Sequence, residues 1–159
     1  MTLEHLVYIG LACLVLVFIV VFLIIRKRKS AFQYIHTPLM TQNEIEFFSR
    51  LQRAVPDLFI FPQVSMGALI KPNMPRKSKD YWPALARVNQ KRIDYTICNT
   101  DMELICLVEL DDRTHDKAAD ALRDAYLDSA GIPTLRWESK KKPGIPEIQA
   151  AIHACMEAE

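Results

Sequence analysis

One stretch of the chain decides its fold, residues 91–124, which read KRIDYTICNTDMELICLVELDDRTHDKAADALRD. Residues 91–98 alternate apolar and polar side chains as a half-buried strand does, and the NTDME sequence that follows is typical of a turn. Residues 104–111 then return as an apolar strand, so the two segments predict an antiparallel hairpin. Carboxylates that lie close together repel one another unless a cation or basic groups compensate them. The second strand nevertheless ends in three of them, Glu109, Asp111 and Asp112.

The segments around the hairpin predict a mixed β-sheet flanked by helices, which is an α/β fold class. TQNE, Thr41–Glu44, has the form of a capping box and is followed by apolar residues at helical spacing. Pro62 within the next apolar strand indicates a sheet edge or a bulge. The connection from the hairpin to the last strand allows these two strands to lie parallel. The predicted helices are about 42–55, a short one after Pro83, 116–130 and from 146, and the other predicted strands are 58–66 and 132–137.

The first part of the chain has the composition of a membrane anchor. Leu6–Ile25 carries no charge and as a helix would be about 30 Å long, which matches the apolar core of a bilayer. RKRK, Arg26–Lys29, follows this run, whereas a cleaved signal peptide has its positive charge before a shorter apolar region. We predict a transmembrane helix at 6–25, a basic tether at 26–37 and one globular domain at 38–159. Because positive flanks stay inside, the amino terminus is expected outside the cell (inner) membrane and the domain in the cytoplasm.

Charge and cysteine content exclude two classes of function for the globular domain. Without RKRK and Glu4, the 20 basic and 19 acidic residues of the chain fall to 16 and 18, a net charge of −2. The domain is therefore not a generally basic nucleic-acid binder, and any such binding must be local. The four cysteines lack paired spacing, which fits a reducing compartment and gives no zinc motif.

Positive charge is concentrated in residues 70–90, called here the basic segment. Tyr81 and Trp82 lie within it. Such a segment can contact a phosphate backbone and stack on bases, lie on an anionic membrane leaflet, or form a solvated loop, and the sequence leaves all three open. Its basic residues are Lys71, Arg76, Lys77, Lys79 and Arg87, against the single acid Asp80.

The carboxylates of the hairpin are predicted to converge at one end of the sheet. Glu109 and Asp111 share a strand face with Cα atoms about 7 Å apart. A turn centred near Thr100 and Asp101 would place Asp94 opposite a position close to Leu107 and diagonal to Glu109. Three such oxygen donors suit Mg²⁺ or Mn²⁺. The structural alternative is that Asp94 and Glu109 are paired with an arginine, Arg92 or Arg136.

RIDY, VELDDRTH and DALRDAYLDSAGIPTLRW resemble motifs of the PD-(D/E)XK (restriction-endonuclease-like) nuclease superfamily, in the branch near the very-short-patch-repair endonucleases. The resemblance covers about residues 38–137. It implies a restriction-endonuclease-like fold and divalent-metal-dependent hydrolysis of phosphodiester bonds in nucleic acid, DNA in preference to RNA, with Mg²⁺ or Mn²⁺ as cofactor. By position, it implies Asp94 and Glu109 as the principal metal ligands, Asp111 as a further acid, and His115 and Glu44 as catalytic groups.

One departure from the superfamily pattern leaves two predicted functions open. The superfamily's lysine, two residues after the glutamate, is replaced by Asp111. Its role, and contact with nucleic acid, could fall to Lys91, Arg92 or Lys117, with Arg123 as an orienting or phosphate-facing group. Two functions therefore stay open: a membrane-anchored nuclease, or an inactive nuclease-fold domain that binds nucleic acid or protein at the membrane. For Glu44, a purely structural capping role also stays open.

Overall fold

A computed structural model of the protein describes residues 2–28, 33–111 and 117–157. The chain forms two separate compact units, residues 1–37 and residues 38–159. The first contains helix α1, Leu3–Arg28. Within it, Glu4–Ile24 has a mean hydropathy of 3.2 and none of it is buried. By length and composition this helix can cross a membrane, while the predicted tether falls partly outside the described residues.

The second unit is a four-stranded mixed sheet flanked by helices, as predicted. The strand order is β1-β2-β3-β4, in which β1, β2 and β3 are antiparallel neighbours and β4 lies parallel to β3. The expected hairpin and the expected parallel crossover are both confirmed. The elements are α2 Gln42–Ala54, β1 Phe59–Ser65, α3 Met66–Leu69, α4 Tyr81–Asn89, β2 Arg92–Cys98, β3 Leu104–Asp111, α5 Lys117–Ser129, β4 Thr134–Glu138 and α6 Ile145–Glu157.

Local sequence signals account for most of these boundaries. Helix α2 begins with the predicted capping box, in which the Thr41 hydroxyl accepts from the Glu44 N–H and the Glu44 carboxylate accepts from the Thr41 N–H. Pro62 lies in the edge strand β1, where its missing N–H removes no ladder hydrogen bond from the sheet interior. Helix α4 begins before Pro83 rather than after it, since a proline in the first turn lacks only an N–H without an intrahelical partner. Helix α3 was not predicted, because four residues are too few to show a helical period.

Apolar side chains pack on both faces of the sheet. One cluster joins α2 and α6 to the sheet, and the Tyr95 ring at its centre lies 5.8 Å from the Phe47 ring. The Tyr95 hydroxyl donates to the Glu44 carbonyl oxygen at 2.8 Å, which ties the start of α2 to β2. A second cluster includes Met66, Val88, Ile93, Leu107 and Leu127. Every buried core residue in the described part of the chain lies in the second unit, so this unit is expected to fold without the first.

The packing of α2 gives a first test of the fold. Leu51 is completely buried in the α2 and α6 cluster, whereas Ile45 on the same helix is 39% exposed. We expect Leu51→Ala to lower the free energy of unfolding of residues 38–159 by about 3 kcal/mol, and Ile45→Ala to lower it by less than about 1 kcal/mol. Urea denaturation followed by circular dichroism measures both. Equal effects would contradict the packing of α2 against the sheet.

Candidate functional site

Four polar residues occupy one row across the sheet. Glu109 on β3 is the register partner of Arg136 on β4. The pair that precedes Glu109 is Tyr95–Val108, and one step further along the hairpin brings Asp94 across from Glu109. On the edge strand, Gln63 lies between two residues paired with the neighbours of Asp94, so it faces Asp94 across β1 and β2. We call these four residues the polar row: Gln63, Asp94, Glu109 and Arg136.

The hairpin register differs from the predicted one and brings two carboxylates closer together. Asp94 was expected opposite a position close to Leu107, but it lies across from Glu109. The turn is centred on Asp101, since the Asn99 N–H donates to the Glu103 carbonyl oxygen and the Asn99 side chain accepts from the N–H groups of Asp101 and Glu103. The strand pairing is also irregular between Ile97 and Cys98. The two acids that the sequence predicts as principal ligands are therefore direct cross-strand neighbours.

Asp94 and Glu109 form a buried acid pair, a term used below for these two residues. Their side chains face each other across neighbouring strands and interact electrostatically, and the Leu110 N–H donates to Asp94 Oδ2 at 2.9 Å. Glu109 is only 3% exposed, and its Oε1 has no hydrogen-bond partner among the described residues. The nearest described cation to that oxygen is Nη1 of Arg123, at 3.7 Å. Glu109 therefore lies away from water beside a second carboxyl group, and both conditions disfavour its ionised form.

Burial determines the protonation of this pair. Loss of hydration, reinforced by repulsion from Asp94, raises the pKa of Glu109 to about 8. Burial also raises the pKa of Asp94, although the Leu110 hydrogen bond opposes this. At neutral pH the pair therefore binds a proton that two exposed carboxylates would have released. Perturbed acids of this kind are typical of functional sites, although structural pairs share the property.

Glu44 approaches the acid pair from the start of α2. Its charge contributes to the raised pKa of Asp94, so the two carboxyl groups are close enough to repel each other. Glu44 Oε2 accepts from the Thr41 N–H at 2.5 Å, and its Oε1 accepts from Gln63 Nε2 at 3.1 Å. Glu44 is thus a capping residue and also a charged neighbour of the acid pair.

Asp111 is held by an arginine instead of joining the acid pair. Arg136 donates to both Asp111 oxygens, through Nε at 2.8 Å and Nη2 at 2.6 Å. The remaining guanidinium nitrogen, Nη1, donates to Asp124 on α5 at 2.6 Å. Of the two arginines considered as partners of Asp94 and Glu109, Arg136 thus pairs with Asp111, while the arginine that forms an ion pair with Glu109 is Arg123. The predicted role of Asp111 as a metal ligand stays a prediction.

The other predicted site residues divide into three groups. Arg123 is brought to the site by α5. Lys91 and Arg92 lie just before Asp94 in the chain, Arg92 is exposed, and the described part of the chain shows no ion pair between either of them and the acid pair. His115 lies outside the described residues, as does the side chain of Lys117.

No residue pattern in the sequence indicates the role of Gln63. It is one of two non-glycine residues with positive φ in the described part of the chain, with φ 55°. Pro62 predicted an irregular edge strand, but neither the left-handed backbone nor the hydrogen bond from Gln63 to Glu44 follows from residue types. Asp124 belongs to the DALRD motif of the predicted helix 116–130. Its contact with Arg136 could not be predicted, because it depends on the packing of α5 against β4.

The donor set suits a hard divalent cation. Around the site, five carboxyl groups face two guanidinium groups, which leaves three negative charges in excess if all the described groups are ionised. Mg²⁺ characteristically uses only one or two protein carboxylates and completes its shell with water and substrate phosphate. The acid pair fits this requirement, since a cation would compensate the repulsion that raises the pKa of Glu109. The five acids are Glu44, Asp94, Glu109, Asp111 and Asp124, and the two cations are Arg123 and Arg136.

The described residues contain no group of three or more acidic, histidine or cysteine side chains already gathered around a common metal position. Among these residues, two adjacent carboxylates lie together, with Glu44 at their margin. A cation held by such a pair would keep coordination positions for water and for a phosphate.

Comparison with known proteins identifies the family of the chain. The profile described as "Protein of unknown function (DUF2726)" matches residues 36–155. The chain belongs to the DUF2726 family. The match spans the polar row and nearly the whole second unit, and it leaves α1 outside. No curated protein and no solved structure matches the chain significantly.

The two roles of Asp111 in this DUF2726 domain can be separated by substitution. Asp111→Asn keeps the shape of the side chain but weakens the charged pair with Arg136, so we expect the free energy of unfolding to fall by about 1 kcal/mol. Calorimetric titration should show Mn²⁺ affinity within about threefold of the unsubstituted domain if Asp111 only positions Arg136. A loss as large as that in Asp94→Asn, measured side by side, would instead make Asp111 a ligand.

Proposed function

We propose that this DUF2726 protein is a membrane-anchored, divalent-metal-dependent nuclease that hydrolyses phosphodiester bonds of nucleic acid, DNA in preference to RNA. The observation that carries the proposal is the buried acid pair, two carboxyl groups that lie across from each other on neighbouring strands, with Glu109 almost completely buried. Asp94 and Glu109 would hold Mg²⁺ or Mn²⁺. The resemblance of the motifs around them to PD-(D/E)XK nucleases supports the same assignment.

The surrounding groups are suited to hold the acid pair in one geometry. The Leu110 N–H fixes Asp94, and Gln63 with Thr41 fixes Glu44. A bound divalent ion would supply polarisation of a phosphate oxygen and a more acidic water. Arg123, whose Nη1 lies 3.7 Å from Glu109, is placed to orient that carboxylate and to face an incoming phosphate.

The proposal includes the location of the domain. Helix α1 would cross the cell (inner) membrane once, with the amino terminus outside. RKRK would then lie at the cytoplasmic surface and the domain in the cytoplasm, where nucleic acid is present. Protease treatment of intact and opened spheroplasts tests this topology, since only opening should expose residues 38–159 to cleavage. Cleavage of residues 38–159 in intact spheroplasts would contradict this topology and indicate the opposite orientation.

A second candidate function is a nuclease-fold domain that binds without cutting. The observation that favours it is the pairing of Asp111 with Arg136 at the position where the superfamily carries its lysine. The side chain at that position would then stabilise the fold and would take no part in a reaction. Such a domain would bind nucleic acid or a protein partner tightly without a metal and would show no turnover.

Metal titration and cleavage together distinguish the two candidates. Mg²⁺ or Mn²⁺ is titrated calorimetrically into residues 38–159, and the same protein is incubated with linear DNA and with RNA. The nuclease proposal expects a binding event and cleavage that a chelator abolishes. Absence of both heat and turnover with either ion would remove it. Tight metal-independent binding to nucleic acid would then support the second candidate.

A further inference from the structure

We propose that the basic segment is a docking surface for anionic lipid, by which the domain lies against the membrane that holds it. This inference rests on the proposed membrane anchor and is independent of the proposed nuclease activity. It concerns one face of the second unit, which we call the docking face. Its residues are Lys71, Met74, Arg76, Lys77, Lys79, Trp82 and Arg87, all of which are exposed.

Contacts within the segment bring five of these residues together in two groups, and Lys77 and Lys79 follow Arg76 closely in the chain. Lys71, Met74 and Arg87 line one cavity of about 390 Å³, so the two ends of the segment meet there. At the start of α4, the Arg76 guanidinium lies 5.1 Å from the centre of the Trp82 ring. In both groups the segment therefore carries cations beside exposed apolar side chains, Met74 in one and Trp82 in the other. A clustered positive face is what an anionic leaflet attracts, at about 1 kcal/mol per basic residue near the surface.

Exposed apolar groups favour lipid over nucleic acid as the occupant. Trp82 is 55% exposed and Met74 is 38% exposed. Tryptophan beside basic residues is typical of protein segments at the membrane–water interface. Stacking on bases needs an accessible ring face, and here Arg76 covers a face of Trp82 while Tyr81 contacts the ring at 5.3 Å in an edge geometry. Phosphate contact alone would not need an exposed methionine.

Chain length also favours the membrane. Nine residues separate Arg28, at the end of α1, from Pro38, at the start of the second unit. Even fully extended, the ten Cα-to-Cα steps from Arg28 to Pro38 span only about 35 Å. A domain held so close to a bilayer meets lipid headgroups continually, so weak surface contacts become effective. The residues beyond RKRK carry a net charge of −2, so attraction to an anionic leaflet has to come from a local face.

Vesicle binding by the isolated second unit tests the proposal without α1. Residues 38–159 are sedimented with phosphatidylcholine vesicles that contain or lack phosphatidylglycerol. We expect binding only with the anionic lipid, weakened by at least about tenfold in Lys77→Glu/Lys79→Glu. The matched control is Lys140→Glu/Lys141→Glu, which makes the same charge change at two exposed lysines outside the docking face and should bind normally.

The position of Trp82 gives a second readout. Brominated lipid should quench the fluorescence of the unsubstituted domain but not that of Trp82→Phe, in which Trp137 of the core remains. Binding without phosphatidylglycerol, equal losses in both lysine pairs, or no quenching would each overturn the proposal. A domain that ignores vesicles but binds an oligonucleotide through Lys77 and Lys79 would also overturn it and make this face a nucleic-acid surface.

Discussion

Asp94→Asn or Glu109→Gln is expected to reduce metal-dependent DNA cleavage by residues 38–159 by at least about 100-fold while the domain stays folded. Each substitution keeps the size of the side chain and removes a negative oxygen donor from the acid pair. The affinity for Mn²⁺ should fall together with the rate, because the same two groups are proposed to hold the ion. The measurements are initial cleavage rates at saturating metal and a calorimetric titration.

Glu109→Gln should be more stable than the unsubstituted domain near neutral pH, although it loses activity. Glu109 is buried with a pKa near 8, so its ionised form disfavours folding. A structural acid would show the opposite result, since its removal would leave partners unsatisfied. Loss of activity with a gain in thermal stability is therefore the expected signature of a site kept for function.

The matched control for these substitutions is Asp101→Asn. Asp101 is an exposed acid in the hairpin turn between the strands that carry the acid pair. Like the other two substitutions, Asp101→Asn replaces a carboxyl group with an amide in the same hairpin. The cleavage rate of this variant should be unchanged. Wild-type rates in both Asp94→Asn and Glu109→Gln would remove the nuclease proposal. So would an equal loss in Asp101→Asn, which would indicate a general charge effect.

The helices and strands could be predicted from the sequence because the patterns that indicate them are local. Alternating apolar residues predict β2 and β3, and Thr41 with Glu44 predicts where α2 begins. The hairpin register was not accessible in the same way. It depends on the hydrogen bonds of Asn99 in the turn and on the irregular pairing between Ile97 and Cys98, whereas composition indicates only that a turn is present.

The residues of the candidate site could be predicted from the sequence, but most of the contacts between them could not. Alternation along β3 places Glu109 and Asp111 on one face. It cannot show that Arg136, 25 residues later in the chain, reaches Asp111 from the adjacent parallel strand. Gln63 was missed because its contact with Glu44 depends on a left-handed backbone conformation, which a glutamine in the sequence does not predict. The missing information is tertiary in each case.

The pH dependence of stability provides the second large effect. Burial raises the pKa of Glu109 from an ordinary value of 4.5 to about 8 in the folded domain. Between these values the folded state binds a proton that the unfolded state has lost. The contribution of Glu109 to stability therefore falls as pH rises through this window and is constant above it. At about 1.4 kcal/mol per pH unit, the loss between about pH 5 and pH 8 reaches up to about 4 kcal/mol.

Urea denaturation of the unsubstituted domain and Glu109→Gln across this pH range isolates the effect, because all other titrating groups are shared. The two proteins should be nearly equal in stability at about pH 5, and Glu109→Gln should become progressively more stable towards pH 8. Saturating Mg²⁺ should reduce the difference, since a cation held by Glu109 favours the ionised carboxylate and competes with the proton. A constant difference at every pH would show that Glu109 is ionised throughout. A difference that magnesium leaves unchanged would show that the acid pair does not hold the ion.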